Sequence, residues 1–206
     1  MHKLKVTYIL IFLIATIMGC SNNEKISVKN VDAILKPLDN NNQRIIDSLG
    51  FESVFIYDVE IKNENVKTVH YWIEHYKNGQ KQENVAGGAT GFSKNKATIA
   101  TSQTNFKLDE DNWYSRWNIS IIDDGSISSF ESLPKKMENP QIAQAKTWID
   151  EDTTLEAEKP FTVALIIKDD SNGIAIGLDE ELIQQTINQS DELFIVKAMI
   201  SEKEEF

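Results

Sequence analysis

Residues 66–85 decide the fold, and they read VKTVHYWIEHYKNGQKQENV. Before the turn, successive side chains alternate between two faces, a period of two that is typical of a β-strand. Asn78-Gly79 is the strongest hairpin signal in the chain, because a type I′ turn requires positive φ at both central residues. We therefore expect residues 66–76 to form a strand and residues 81–85 to pair back onto it.

The same period of two recurs along most of the chain. The run at 161–167 is almost continuously apolar, which predicts a strand buried on both faces. Asn139-Pro140 could begin a helix, but the alternation that follows favours a strand at 143–149. Further strands are predicted at 51–61, 98–106, 113–121, 126–130, 174–177 and 193–200.

Helical spacing is confined to short stretches. Residues 31–38 and 43–49 each predict a short helical segment, the second ended by Gly50. Residues 178–187 predict a helix whose acidic first turn suits the positive N-terminal end. The glycine-rich stretch 87–91 predicts a loop, and without a P-loop lysine or a following helix it does not indicate phosphate binding.

Many short strands joined by turns predict a mainly β protein, most simply an antiparallel β-sandwich with one or two short helices. Residues 155–162 resemble the entry to a core strand of immunoglobulin-like sandwiches, which implies an arrangement of that type. We expect one domain over residues 31–206, and a split near 133–140 is the alternative.

The N-terminus has a different composition. Lys3 and Lys5 precede the apolar run 6–18, and the sequence turns polar directly after Cys20. A 13-residue helix would span about 20 Å, against about 30 Å of bilayer hydrocarbon, so this segment is short for a permanent anchor. The pattern is typical of a cleaved signal.

Residues 1–20 resemble a bacterial lipoprotein signal peptide, with Ile17, Met18, Gly19 and Cys20 at the lipobox positions. The resemblance implies removal of residues 1–19, a diacylglycerol on Cys20, and a protein on the extracytoplasmic face of a cell membrane. Residues 20–30 would then form the lipidated, polar tether. An ordinary cleaved signal and an uncleaved short anchor are the alternatives. Cys20 is the only cysteine, so an internal disulfide is excluded.

Charge narrows the choice of partners. The formal net charge is −11, and residues 103–206 carry nine basic against 22 acidic side chains. An acidic protein is repelled by phosphate backbones, so we expect no nucleic-acid partner. A solvated surface explains the acidic half most simply, and a cation site or a basic partner is the alternative. The Asp-rich turns at 123–125 and 169–173 do not fit the EF-hand calcium loop, and turn geometry accounts for them.

No catalytic, cofactor or metal motif stands out. His70 and His75 are the only histidines after the signal, and their spacing on one strand sends them to opposite faces. We expect His75 to be a satisfied histidine at the edge of the core. No Gly-x-Ser-x-Gly elbow is present, and the sequence favours a non-catalytic protein without a cofactor.

The aromatic residues carry the remaining functional hypothesis. Trp113 and Trp117 are expected to fill the core, and Trp72, Tyr76, Trp113 and Trp117 are also the candidate ligand contacts. The leading function is display of a binding domain for an envelope protein, a secreted peptide or a polymer. The alternative is an extracytoplasmic small-ligand binder or hydrolase near the aromatic strands. A deep pocket lined by Trp72, Trp113 or Trp117 would favour the alternative.

Overall fold

The computed structural model describes residues 31–138, 143–169 and 176–204. The predicted signal peptide, Cys20 and the tether lie outside these ranges, as do most of the acidic turn at 169–173 and the start of the strand predicted after it. Two antiparallel sheets and two short helices make up the described part of the chain. The prediction of a mainly β sandwich with one or two short helices is therefore confirmed.

The strands are β1 (Ala33–Pro37), β2 (Ser53–Ile61), β3 (Thr68–Lys77), β4 (Gln80–Lys81), β5 (Ala86–Gly91), β6 (Lys96–Lys107), β7 (Trp113–Asp123), β8 (Ser126–Glu131), β9 (Lys135–Lys136), β10 (Gln144–Trp148), β11 (Thr153–Leu155), β12 (Phe161–Lys168) and β13 (Glu192–Ser201). The first sheet has the order β11-β1-β2-β6-β7-β8, with β9 also paired to β7. The second has the order β10-β12-β13-β3-β4, with β5 also paired to β3. The immunoglobulin-like arrangement and the single domain stay predictions.

The predicted hairpin is present. Asn78 and Gly79 have φ values of 50° and 75°, as a type I′ turn requires, and β4 pairs back onto β3. Beyond the turn, β5 also pairs with β3, so the loop predicted at 87–91 is wrong. A Cβ at Gly88 would overlap the ring of Phe130. These glycines therefore serve close packing between strands rather than flexibility.

The helical interpretation of residues 31–38 is also wrong, because they contain β1, which pairs with β2 and β11. Leu35 would face the core in a helix as well as in a strand, so the spacing of apolar residues does not distinguish the two. Pairing with the neighbouring strands stabilises the strand instead of the helix. Helix α1 (Asn40–Asp47) follows, and Gly50 has the positive φ expected near a helix end. Helix α2 (Glu180–Gln189) begins as predicted, with the Asp179 carboxylate accepting a hydrogen bond from the Leu182 amide.

The core lies between the sheets and is built from alternate residues of each strand. Tyr57, Ile99, Trp117 and Ile119 come from the first sheet, and the second sheet contributes inward-facing residues of β3, β12 and β13. Trp117 is buried as expected, but Trp113 stands at the start of β7 and is 37% exposed, so its assignment to the core is wrong. Trp113 is the first residue of β7, and this end of the strand extends past the packed core.

Candidate ligand-binding cleft

A cleft of about 470 Å³ opens between the two sheets at one end of the core. This volume lies within the range of small-molecule sites in proteins. The first sheet contributes Ser115, Trp117, Ser132 and Lys135, and the second contributes His75, Lys168, Glu192 and Phe194. Both the apolar floor and the polar walls are therefore supplied by residues that regular strands hold in place.

The two-residue alternation of side chains along the strands places the polar residues of the second sheet in the cleft. Along β12, Ala164 and Ile166 face the core, and two residues later Lys168 occupies the same face. On β13, Glu192 precedes Phe194 by two residues. Lys168 and Glu192 are direct partners across the two strands. The same alternation that places apolar residues in the core therefore places the charged side chains of Lys168 and Glu192 at the open end of the core.

Lys168 is only 4% exposed, although it carries an ammonium group. Its Nζ lies 5.3 Å from the centre of the Phe194 ring, and it makes no hydrogen bond or ion pair within the part of the chain that the structure describes. Burial lowers the pKa of Lys168, and the charges of Glu192 and Glu52 oppose that shift, while Lys135 adds to it. A lysine with a nearly buried side chain, and with no ion-pair partner among the described residues, therefore lines the cleft.

His75 and Glu192 form the second polar pair. The His75 Nε2 is 2.9 Å from the Glu192 Oε1 and must be the donor, because an ionised carboxylate can only accept. The imidazole stacks on Phe194 at 4.8 Å, which fulfils the expectation of a satisfied histidine at the core edge. Burial raises the pKa of Glu192, but the hydrogen bond from His75 and the charge of Lys168 lower it further, so the net shift is downward.

Two hydroxyl groups complete the wall of the first sheet. Ser115 Oγ accepts a hydrogen bond from Gln103 Nε2 at 2.9 Å, and Ser132 Oγ accepts one from the Trp117 amide at 2.9 Å. Neither hydroxyl donates to another described residue, so both O–H groups are available. The buried Oε1 of Gln103 has no hydrogen-bond partner within the described residues.

These groups suit binding better than catalysis. His75 is held by Glu192 on one side, and its Nδ1 lies 3.4 Å from Lys135 Nζ, so no serine is its partner as a triad requires. Within residues 31–138, 143–169 and 176–204, no three His, Cys, Asp or Glu side chains form a metal-binding group. The cleft offers hydrogen-bond donors and positive charge beside an aromatic floor.

The predicted ligand-contact aromatics are not brought together. Trp117 lines the cleft, whereas Trp113 lies at the strand end, with Lys107 Nζ 5.3 Å from its ring centre. Trp72 and Tyr76 alternate with the core residues of β3 and so lie on the opposite face of the second sheet. Only one of the four therefore reaches the cleft.

Trp72 and Tyr76 instead surround the nearly buried carboxylate of Glu74. Tyr76 donates its hydroxyl to Glu74 at 3.1 Å, and Lys81 Nζ is 2.7 Å from Glu74 Oε1. Burial raises the pKa of Glu74, but the hydrogen bond from Lys81 and the charge of Lys197 lower it overall. Because these groups satisfy one another, the cluster stabilises the outer face of β3, and Tyr76 also lines a separate groove on that face.

Sequence reasoning did not single out Lys168, Glu192, Ser115 or Ser132. A signal for Lys168 was present, because it ends the apolar run 161–167 at an inward-facing position of the alternation. A lysine there is either a strand end in solvent or a buried cation. Only the packing of the two sheets, which leaves Lys168 4% exposed, distinguishes the two.

Neither helix in the described part of the chain has the length and apolar character of a membrane span. Residues 37–199 match the model of one protein family, described as the YgaN domain. No curated protein and no solved structure matches the chain significantly. The matched range contains every residue of the cleft.

Proposed function

The chain belongs to the YgaN domain family, and we propose that it is a non-catalytic domain that binds a small ligand in the cleft between its sheets. The observation that carries the proposal is Lys168, a nearly buried lysine whose ammonium lines the cleft and has no hydrogen-bond or ion-pair partner among the described residues. Burying an unpaired charge costs free energy, so a stable protein keeps such a group where it gains a partner in function. A bound ligand supplies that partner.

The shape of the cleft supports the same function. Trp117 and Phe194 form its floor, with ring centres 5.4 Å apart, and polar groups line the walls above them. An apolar floor with a few placed polar groups is the usual composition of a small-molecule site. A pocket lined by Trp117 is also the feature that the sequence analysis named as favouring a small-ligand binder.

Lipid anchoring at Cys20 is the second part of the proposal. The apolar run 6–18, the Gly19-Cys20 pair and the polar residues after it support it. Two acyl chains on Cys20 would hold the domain at the extracytoplasmic face of a cell membrane, where a single chain gives only marginal binding. The tether would then set how far the cleft reaches from that surface.

Display of a surface to an envelope protein or polymer is the second candidate function. Ile122 and Ile127 favour it, because they are direct cross-strand partners on β7 and β8 and are 38% and 66% exposed. An exposed apolar pair on a sheet face is one mark of a protein contact. Two residues make a small patch, so the geometry supports the cleft better.

A cleft-blocking variant tests ligand binding. Gln82 is exposed at the mouth of the cleft, and Gln80, in the same hairpin, is exposed outside it. We expect native mass spectrometry of the full-length chain in detergent, after incubation with a total metabolite extract, to detect a bound small molecule. The bound species should survive Gln80→Trp and be lost in Gln82→Trp. Absence of any bound species from the unaltered chain would overturn the proposal.

Metabolic labelling with palmitate tests the anchor. The unaltered chain should carry the label and sediment with membranes, whereas Cys20→Ala should lose the label and leave the membrane fraction. Ser21→Ala is the matched control, since it alters the neighbouring residue and leaves the thiol. A labelled Cys20→Ala protein, or an unlabelled wild type, would contradict anchoring at Cys20.

A further inference from the structure

We infer that the ligand of this cleft is an organic monoanion, a carboxylate attached to an apolar or aromatic body, with the carboxylate bound by Lys168. The inference rests on the proposed binding function and names the chemical class of ligand. Four observations carry it: the unpaired ammonium, the orientation of the wall hydroxyls, the balance of charge in the cleft, and the aromatic floor.

The first observation is the position of Lys168. Its direct cross-strand partner is Glu192, yet the Glu192 carboxylate is hydrogen-bonded to His75 rather than to the lysine. The lysine ammonium rests instead over the Phe194 ring. An ammonium has three donors and no acceptor, so a ligand that satisfies it must supply acceptors, and charged acceptors bind it more strongly than neutral ones.

The second observation is that the nearby hydroxyls are also oriented to donate. The oxygens of Ser115 and Ser132 already accept hydrogen bonds from Gln103 and from the Trp117 amide. Their free O–H groups therefore add two donors to the three of Lys168. The site is richer in unused donors than in unused acceptors, as recognition of carboxylate oxygens requires.

The third observation is the charge of the lining residues. Inside the cleft, Lys168 and Lys135 face a single carboxylate, that of Glu192. At the mouth, Lys77 pairs with Glu138 at 2.7 Å, and Lys136 and Asp191 add one charge of each sign. The remaining single positive charge, in a chain of net charge −11, matches a monoanion. A dianion such as a phosphate monoester would place its second charge against Glu192.

The fourth observation is the floor. Phe194 and Trp117 lie beneath and beside the ammonium and are nearly buried, while the half-buried Val85 and Met137 extend the apolar lining. A small inorganic anion would leave the accessible part of this lining uncovered. An apolar or aromatic group next to the carboxylate would cover it and gain the free energy of burial.

Isothermal titration calorimetry of the full-length chain in detergent, with a matched pair of probes, tests the inference. The probes are 4-phenylbutyrate and 4-phenylbutyramide, which differ in the carboxylate alone. We expect the acid to bind at least about tenfold more tightly than the amide, as expected for a hydrogen-bonded charge. Lys168→Met should remove this preference, and Lys168→Arg should retain part of it. Lys94→Met is the control, because it removes an equal charge from an exposed position outside the cleft and should keep the preference.

The outcomes separate the two proposals. Equal binding of acid and amide, failure of the acid to bind, or full acid preference in Lys168→Met overturns the monoanion inference. If native mass spectrometry still detects a ligand that Gln82→Trp excludes, the proposed binding function survives that result. If it detects none, the proposed function fails as well. Circular dichroism of each variant establishes that a loss of binding is not a loss of fold.

Discussion

The two ends of the space between the sheets are built by the same strands but filled in opposite ways. At one end, Val59, Ala97, Ile121 and Ile200 fill the core with aliphatic side chains, and the buried carboxylate of Asp123 at its rim is bound by the Ser93 amide. At the other, the inward positions of β2, β6 and β7 become Ser53, Gln103 and Ser115, and those of β3, β12 and β13 become His75, Lys168 and Glu192. Inward- and outward-facing residues alternate along each strand up to its end. Only the residue types at the last inward positions differ between the two ends.

In the function that we propose, the closed end maintains the fold and the open end serves binding. Aliphatic contacts gain free energy in proportion to the apolar area that they bury, so the closed end stabilises the sandwich. Polar groups in the same layer cost free energy unless each has a partner, and Lys168 has none among the described residues. The open end therefore carries a stability cost, which we assign to its function.

The largest effect is expected at the closed end. Ile99 is fully buried in the core, and Ile99→Ala should lower the free energy of unfolding by about 2–5 kcal/mol through lost burial and the cavity left behind. Ile127→Ala, at an exposed position, is the control and should change it by about 0.5 kcal/mol or less. Urea denaturation of both variants measures the difference. Similar losses in the two variants would contradict the assignment of the core.

A smaller effect of opposite sign is expected at the open end. Lys168→Met replaces a buried charge with an apolar side chain of similar length. We expect it to raise the free energy of unfolding of the ligand-free protein by about 1–2 kcal/mol. Glu192 keeps its hydrogen bond from His75 in this variant, so no new unpaired charge is created. A loss of stability in urea denaturation would show that Lys168 has a structural role instead.

The smallest expected effect is a pH dependence of the difference in the free energy of unfolding between the unaltered protein and Lys168→Met. Burial lowers the pKa of Lys168 below its unfolded value of 10.5, so between the two values the unfolded chain binds more protons than the folded one. Stability of the unaltered protein should therefore rise with pH in this window, relative to Lys168→Met. The gap between the two denaturation curves should narrow as the pH rises toward 10.5. A constant gap would mean that the amine has an unshifted pKa.

The sequence was sufficient for features that depend on local chemistry. The Asn78-Gly79 turn, the alternation of β2 and β7, and the acidic first turn of α2 were all readable from neighbouring residues. Residues 31–38 were misread because helix and strand periods share several apolar positions, and the choice depended on the distant partners β2 and β11.

The cleft could not be assembled from the sequence for the same reason. His75, Ser115, Lys168 and Glu192 come from four strands, and the register between those strands determines which side chains meet. The size of the tryptophans made them candidate ligand contacts, yet Trp72 faces away from the cleft and only Trp117 reaches it. In the sequence, Lys168 looks like an ordinary residue at a strand end, and only the packing of the opposing sheet shows that it is nearly buried.

The contact between Gly88 and Phe130 has a consequence for engineering. There β5 of one sheet meets β8 of the other, and Thr90 Oγ1 lies 3.3 Å from Ser128 Oγ beside it. Farther along the two sheets, Gln82 after β4 and the residues of β9 line the cleft. Any side chain at position 88 would act as a spacer between the sheets. The absence of a side chain at Gly88 therefore allows the close approach of β5 and β8, and Gly88→Ala would force the Phe130 ring or one of the two strands to move.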